Sequence, residues 1–289
     1  MGVPHRRVGK LVVATCREEE DRLAAIEVRA RANGAPVTWL AGVRVQEREP
    51  TIQASAALWS PESGIIDAHA LTGSYRSECE AAGGRLALRT RVTGLARRGG
   101  RWRIRTQDAT GAPFDCEAEL VVNSTGLFAD ALAISAGIDV EALGWRTRFC
   151  KGEYFAVRPG CGALTRHLVY PVPSDGGLGV HVTMDLAGRY RLGPDAQWVD
   201  RIDYGVDPSH AARFAEAVGR YLPGLTAADL VPDQAGIRPK LSGPGEPAAD
   251  FVVEECSSHG APGFVHLAGI ESPGLTASGA LARYVADLL

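Results

Sequence analysis

Hydrophobic and polar positions follow different rhythms along these 289 residues, and the rhythm changes mark the elements. An apolar run from Val8 to Ala14 predicts a strand. Thr15 then suits a helix N-cap, with Glu18 three residues on completing a capping box. The helix it opens is expected from Cys16 to Asn33, with Leu23, Ile26 and Ala30 as its buried stripe and Gly34 as its stop. A second helix is predicted after Asp67, through Cys79 to Ala82, ending at Gly83-Gly84. Leu86 to Leu95 alternates as a strand. Trp102 to Thr106 is its expected hairpin partner, with Gly99-Gly100 at the turn. Glu119 to Asn123 reads as a buried strand. It runs into Ser124-Thr125-Gly126 and a short alanine-rich helix ending at Gly137.

The middle of the chain has another texture. Between about Arg148 and Arg191 the strings GEYFAV, HLVYPVP, LGVHVT and RYRLG are short strand-like runs separated by Gly and Pro. They predict an antiparallel sheet. A helix from Pro208 to Tyr221 follows. Phe264 to Ala268 then reads as a buried strand, Gly269 to Gly274 as a tight loop, and Leu275 to Leu289 as a helix. The expected class is therefore mixed, α/β with α+β character, in two interleaved parts. Residues 60–147 and 245–289 form an α/β layer, and residues 1–59 and 148–244 a mostly antiparallel sheet.

Composition narrows the functions available. Apolar residues make up 45%, enough for a substantial core, and the net charge of −3 with mixed signs excludes a nucleic-acid surface. The six cysteines are scattered without CxxC pairs, which predicts reduced thiols and no metal site. No apolar run reaches the length of a membrane span and the first residues lack a signal-peptide core, so the expected location is cytoplasmic, with peripheral attachment to an inner membrane also open.

Two places share one design: a buried strand, a glycine-bearing loop, then a helix start. They are LVVNSTGLFADALA and FVHLAGIESPGLTASGALA. Free amides at a helix start favour negative charge, and glycine lets the backbone approach a ligand. Arg238 and Lys240, two apart on an expected strand in GIRPKL, share one face and could both meet carboxylates. His181 and Tyr154 sit in expected sheet strands, where each is a candidate for chemistry or for packing.

Longer strings carry a resemblance. HVTMDLAGRYRLGPDAQW, AGIRPKL followed by DFVVE, LAGIESPGLTAS, KGEYF, YPVP, VVNSTGLFAD, GKLVVAT and SPESGIIDAHAL are similar, in the same order, to segments of the L-2-hydroxyglutarate dehydrogenase/oxidase family. That family belongs to the D-amino-acid-oxidase-like flavoproteins. The resemblance implies an FAD/NAD(P)-binding-type layer interleaved with a substrate sheet, FAD as cofactor, and oxidation of the CH–OH group of a small anionic 2-hydroxy acid. A quinone or oxygen would accept the electrons. By the same resemblance, Gly269, Ile270, Gly274, Leu275 and Thr276 form a flavin loop. Ser124, Thr125 and Gly126 border the FAD phosphates, and the Val92 backbone meets adenine. His181 is the general base, Arg238 and Lys240 face a diacid, and Tyr154 lines the pocket. Family members open with a GxGxxG turn; no such string occurs here, so the expectation is a layer lacking its first βαβ unit. Three alternatives follow: an amine or amino-acid oxidase of the same superfamily, a truncated non-catalytic remnant unable to bind FAD alone, or a partner chain supplying the unit.

Overall fold

The computed structural model describes residues 2–162, 164–173 and 179–289. In chain order the elements are β1 (His5–Arg7), β2 (Lys10–Ala14), α1 (Arg17–Ala32), β3 (Thr38–Ala41), α2 (Gly42–Arg48), β4 (Ala56–Ser60), β5 (Gly64–Ile66) and α3 (Ala68–Ala81). Then come β6 (Arg91–Arg98), β7 (Arg101–Gln107), β8 (Pro113–Ala118), β9 (Val121–Asn123), α4 (Ala129–Ser135), β10 (Arg148–Val157), β11 (Leu168–Pro171), β12 (Val182–Met184), β13 (Tyr190–Leu192) and β14 (Gln197–Val199). The chain closes with α5 (Ala211–Gly219), β15 (Leu230–Lys240), β16 (Val252–Glu255), β17 (Phe264–Ala268) and α6 (Gly274–Asp287). Leu178, the first residue of the expected strand LGVHVT, lies outside the described residues.

The chain divides into two compact units, both discontinuous: residues 1–84, 152–197 and 203–236, and residues 85–151, 198–202 and 237–289. The first boundary falls at residue 84 rather than 60. The reason is local: β5 pairs antiparallel with β1 through Arg6↔Ile65, which keeps residues 60–84 with the N-terminal segment.

The first unit is built on a large sheet with order β14-β10-β13-β12-β11-β2-β4-β3, β15 pairing with β10. The expected antiparallel runs are there, but β11 lies parallel to β2, matching Leu168 with Lys10 and Tyr170 with Val12. Leu11, Val13, Phe155, Val169, Val182, Leu192 and Phe214 form its dry core, and the Phe155 and Phe214 rings meet at 4.8 Å. The Tyr221 hydroxyl donates to the Val180 carbonyl at 2.6 Å. Burial pushes that phenol far above its ordinary pKa, so it stays a neutral donor.

At the start of α1 the expected capping box does not form. Cys16 is the N-cap and makes no side-chain cap. Instead Glu19 accepts from the Thr15 amide at 2.7 Å and the Thr15 hydroxyl at 2.8 Å, and pairs with Arg220. Glu19 is buried, so its carboxylate takes the hydrogen bonds that an exposed Glu18 forgoes. The helix after Asp67 forms as expected, its Asp67 carboxylate accepting from the Ala70 amide at 2.9 Å.

The second unit holds two three-stranded sheets, β6-β7-β8 and β16-β17-β9. The strand expected from Leu86 begins only at Arg91, where pairing with Gln107 starts. Leu86 and Leu88 are exposed: their alternation has no partner strand to pack against. The core of this unit is Trp102, Phe264, Ile138 and Val140, with Trp102 Nε1 donating to the Pro262 carbonyl at 3.1 Å. Among the described residues no helix is long and apolar enough to cross a membrane, and no three His, Cys, Asp or Glu side chains converge as a metal site would need.

Candidate functional site

In the second unit β17 and β9 run parallel, in a register that sets His266 beside Asn123. β9 ends at Asn123, level with His266, and β17 runs two residues further to Ala268 before its own loop begins. Asn123 is the joint. Its Nδ2 donates to the Ala129 carbonyl at 2.8 Å and to His266 Nδ1 at 3.0 Å. Its Oδ1 accepts from the Thr125 hydroxyl at 2.7 Å, closing the Ser124–Gly126 turn. Because Asn123 donates, His266 Nδ1 is an acceptor and the ring carries its proton on Nε2. Burial drives the His266 pKa down to about 4, so the ring is neutral at ordinary pH.

Two cavities flank the Ser124–Gly126 loop. One, of about 510 Å³, is lined by Ser124, Gly126, Gly269, Ile270, Gly274 and Leu281, among others. The other, of about 580 Å³, is lined by Val92, Thr125, Phe128 and Leu132, with Thr90 and Gly94. Seven of the expected cofactor residues thus border one cavity or the other. Leu275 and Thr276 do not: they occupy the exposed first turn of α6.

The surroundings suit a dinucleotide cofactor. Helix α6 has 14 residues and no side-chain cap; its Gly274 amide donates to the Glu271 carbonyl, and the amides that follow face no side-chain acceptor. Gly126 has φ +61 with open space where a Cβ would stand, while at Gly269 (φ +69) a Cβ would come within 2.9 Å of Leu241. Both positions favour glycine, and both border the same cavity.

Arg238 and Lys240 lie on β15 as expected, two residues apart. Their surroundings differ. Arg238 Nη1 donates to Cys150 Sγ at 3.6 Å, and the guanidinium is partly buried. Lys240 Nζ is 2.6 Å from Glu271 Oε1, with both side chains mostly buried. That ion pair fastens the strand to the Gly269–Gly274 loop and neutralises the lysine locally.

The remaining candidates gather in the first unit. His181 precedes β12 rather than lying within it, and is buried. Its ring stacks on Tyr170 with centroids 3.6 Å apart and planes at 5°. Tyr154, on β10, is close enough to raise the Tyr170 pKa, an effect second to burial. Lys10 completes the group, its Nζ 5.2 Å from the Tyr170 ring centroid. Burial lowers the Lys10 pKa. The sequence pointed to His181 and Tyr154 but not to Tyr170 or Lys10. The clue that could have found them is the polar residue inside each of two apolar runs, GKLVVAT and HLVYPVP.

Comparison with known proteins places this geometry. The family model described as FAD-dependent oxidoreductase matches residues 1–288. The mitochondrial L-2-hydroxyglutarate dehydrogenase of Arabidopsis thaliana is 35% identical over 99% of this chain and 67% of its own length. The L-2-hydroxyglutarate dehydrogenase of Escherichia coli K12 is 26% identical over 96% of the chain and 72% of its own. Among solved structures, the FAD-bound L-α-glycerophosphate oxidase of Mycoplasma pneumoniae superposes with a TM-score of 0.87 at 24% identity, covering all of this chain and 74% of that one. Glycine oxidase from Geobacillus kaustophilus gives 0.79 at 23%, covering 99% and 71%.

Proposed function

We propose that this chain, which belongs to the FAD-dependent oxidoreductase family, oxidises the CH–OH group of a small 2-hydroxy diacid, L-2-hydroxyglutarate, to the 2-oxo acid. The observation that carries the substrate is the 35% identity to a plant L-2-hydroxyglutarate dehydrogenase across 99% of the chain. Bound FAD would supply the hydride acceptor for the carbinol carbon, with a quinone or oxygen as the final electron acceptor.

The protein's own groups supply binding and proton transfer. The Ser124–Gly126 turn and the α6 first turn hold the cofactor, offering backbone amides to its negative groups. Loop Gly269–Gly274 keeps its position through the Lys240–Glu271 pair. His181 takes the substrate hydroxyl proton as the C–H bond breaks. Stacking on Tyr170 fixes the plane of its imidazole, which aims the ring nitrogens. Arg238 offers a bidentate partner to a substrate carboxylate. Tyr154 lines the pocket beside Tyr170.

The test is anaerobic. FAD-loaded protein is mixed with L-2-hydroxyglutarate, its D-enantiomer, or glycine, and the oxidised-flavin absorbance is followed. Rapid bleaching by the L-acid alone is expected. Bleaching by glycine, with none by the hydroxy acid, would replace this reading with an amino-acid oxidase.

A further inference from the structure

We propose that the chain carries a second ligand site, beside α2, which takes a phosphate monoester held by Arg48, Arg166 and His167. The cavity lies wholly in the first unit and has a volume of about 370 Å³. It is lined by Leu40, Arg44, Glu47, Arg48, Arg166 and His167, so basic side chains outnumber the one carboxylate.

The site is built from beneath. Glu49 is buried, and its Oε1 accepts from the Arg166 amide at 2.7 Å and the His167 amide at 2.8 Å. The same oxygen stands 2.5 Å from His167 Nδ1. One buried carboxylate thus fixes the short segment that presents both residues. With Nδ1 engaged there, Nε2 is the ring nitrogen left for a ligand. Trp59 supplies a second support. The Arg48 guanidinium lies over its indole, 4.2 Å from the centroid, and the His167 ring meets it at 4.8 Å and 84°. The indole reaches this place by crossing Gly9, where a Cβ would come within 1.9 Å of the ring. A guanidinium resting on an indole keeps its planar N–H fork free, and side chains held this way lose less freedom when a ligand arrives.

The charges are left for that ligand. Elsewhere in the unit arginines are answered by carboxylates: Arg31 by Glu27, Arg189 by Asp185 and, on the cavity's own rim, Arg44 by Glu47 at 2.7 Å. Among the described residues no carboxylate lies within ion-pair distance of the Arg48 or Arg166 guanidinium. Two planar forks and an imidazole nitrogen, on three side chains, suit a group with three acceptor oxygens. A phosphate monoester has three, and a carboxylate only two. A phosphate group fills only part of the cavity, which leaves room for the rest of the ester against Leu40.

The experiment is titration calorimetry with phenyl phosphate and with acetate, in saturating FAD so that the cofactor loops are filled. Wild type is expected to bind phenyl phosphate with a Kd below about 1 mM, and acetate at least about tenfold more weakly. Arg48→Gln and Arg166→Gln should each lose about tenfold in phenyl phosphate affinity. Arg29→Gln, an equal loss of charge on the exposed face of α1, should change it less than about twofold. No binding by wild type, or equal affinity in wild type, Arg48→Gln and Arg166→Gln, overturns the proposal. A measurement on the wild type alone guards against misfolded variants. Phenyl phosphate should slow phenylglyoxal modification of Arg48 and Arg166, read by peptide mass spectrometry, and leave Arg29 unchanged. Modification of Arg48 and Arg166 at one rate with and without the ester also overturns the site. Phosphatidylcholine vesicles with and without phosphatidate tell where the ester is carried. Co-sedimentation that needs phosphatidate and is lost in Arg48→Gln assigns it to a lipid headgroup. Phenyl phosphate binding without co-sedimentation assigns it to a small soluble molecule.

Discussion

His181 and His266 are both buried, one in each unit, yet their surroundings give them different work. His266 sits wholly inside the second unit, on a strand. Its Nδ1 is tied to Asn123, and its Nε2 has no hydrogen-bond partner among the described residues. With its pKa near 4 it is a neutral strut between two loops. His181 lies at the end of a loop in the first unit, face to face with Tyr170, whose ring is also approached by Lys10. Burial alone therefore does not mark a proton acceptor.

Replacing each histidine should separate these roles. His181→Gln is expected to slow flavin reduction by about 10²- to 10⁴-fold, the usual contribution of a general base, with little change in the thermal midpoint. An equal loss of stability would instead make His181 a packing residue. His266→Ala should do the reverse. It opens a cavity and leaves Asn123 Nδ2 short of an acceptor, costing about 2–4 kcal/mol in denaturant unfolding. FAD retention should weaken while reduction of the flavin that remains bound keeps its rate.

A pH series sharpens the contrast. The folded-state pKa of His266, about 4, lies below the ordinary 6.5. Unfolding therefore takes up a proton between those values. The stabilisation from keeping this ring neutral is complete above pH 6.5 and is lost as pH falls toward 4. The unfolding midpoint should drop over that window, and His266→Asn should flatten the slope. A smaller effect is expected at Asn123→Ala, about 1–3 kcal/mol from the unpaired groups around it. The smallest is the coupling between Lys240 and Glu271. A double-mutant cycle with Lys240→Met and Glu271→Gln should give about 1 kcal/mol, because both side chains keep some contact with solvent.

Much of this was legible in the sequence where the signal is local. The Phe264–Ala268 strand, its loop and the α6 helix occupy one contiguous stretch with a clean change of period, and they fold as read. The Ser124–Gly126 turn is similar. What escaped depends on distant partners. Lys10 meets Tyr170 because β2 and β11, far apart in the chain, pair in parallel as neighbouring strands, and nothing near either residue announces that pairing. The Glu19 cap of Thr15 was misread as Glu18 because the choice is made by Arg220, some two hundred residues away. Strand β8 was missed because nearly all its side chains are exposed, leaving no apolar alternation to see. Lys240 lies on its expected strand, but its engagement with Glu271 is a tertiary fact.

The parallel register of His266 with Asn123 carries one more consequence, for how this scaffold tolerates change. Neighbouring strands sit about 4.8 Å apart, so the two loop origins are held at a fixed spacing by the backbone itself. Residues added after Asn123 or after Ala268 lengthen one finger and leave the origin of the other where it was. A residue added within β9 or β17 shifts the registration of both at once. Variation in this region should therefore collect in the loops, with the two short strands acting as a ruler against which either loop can be redesigned independently.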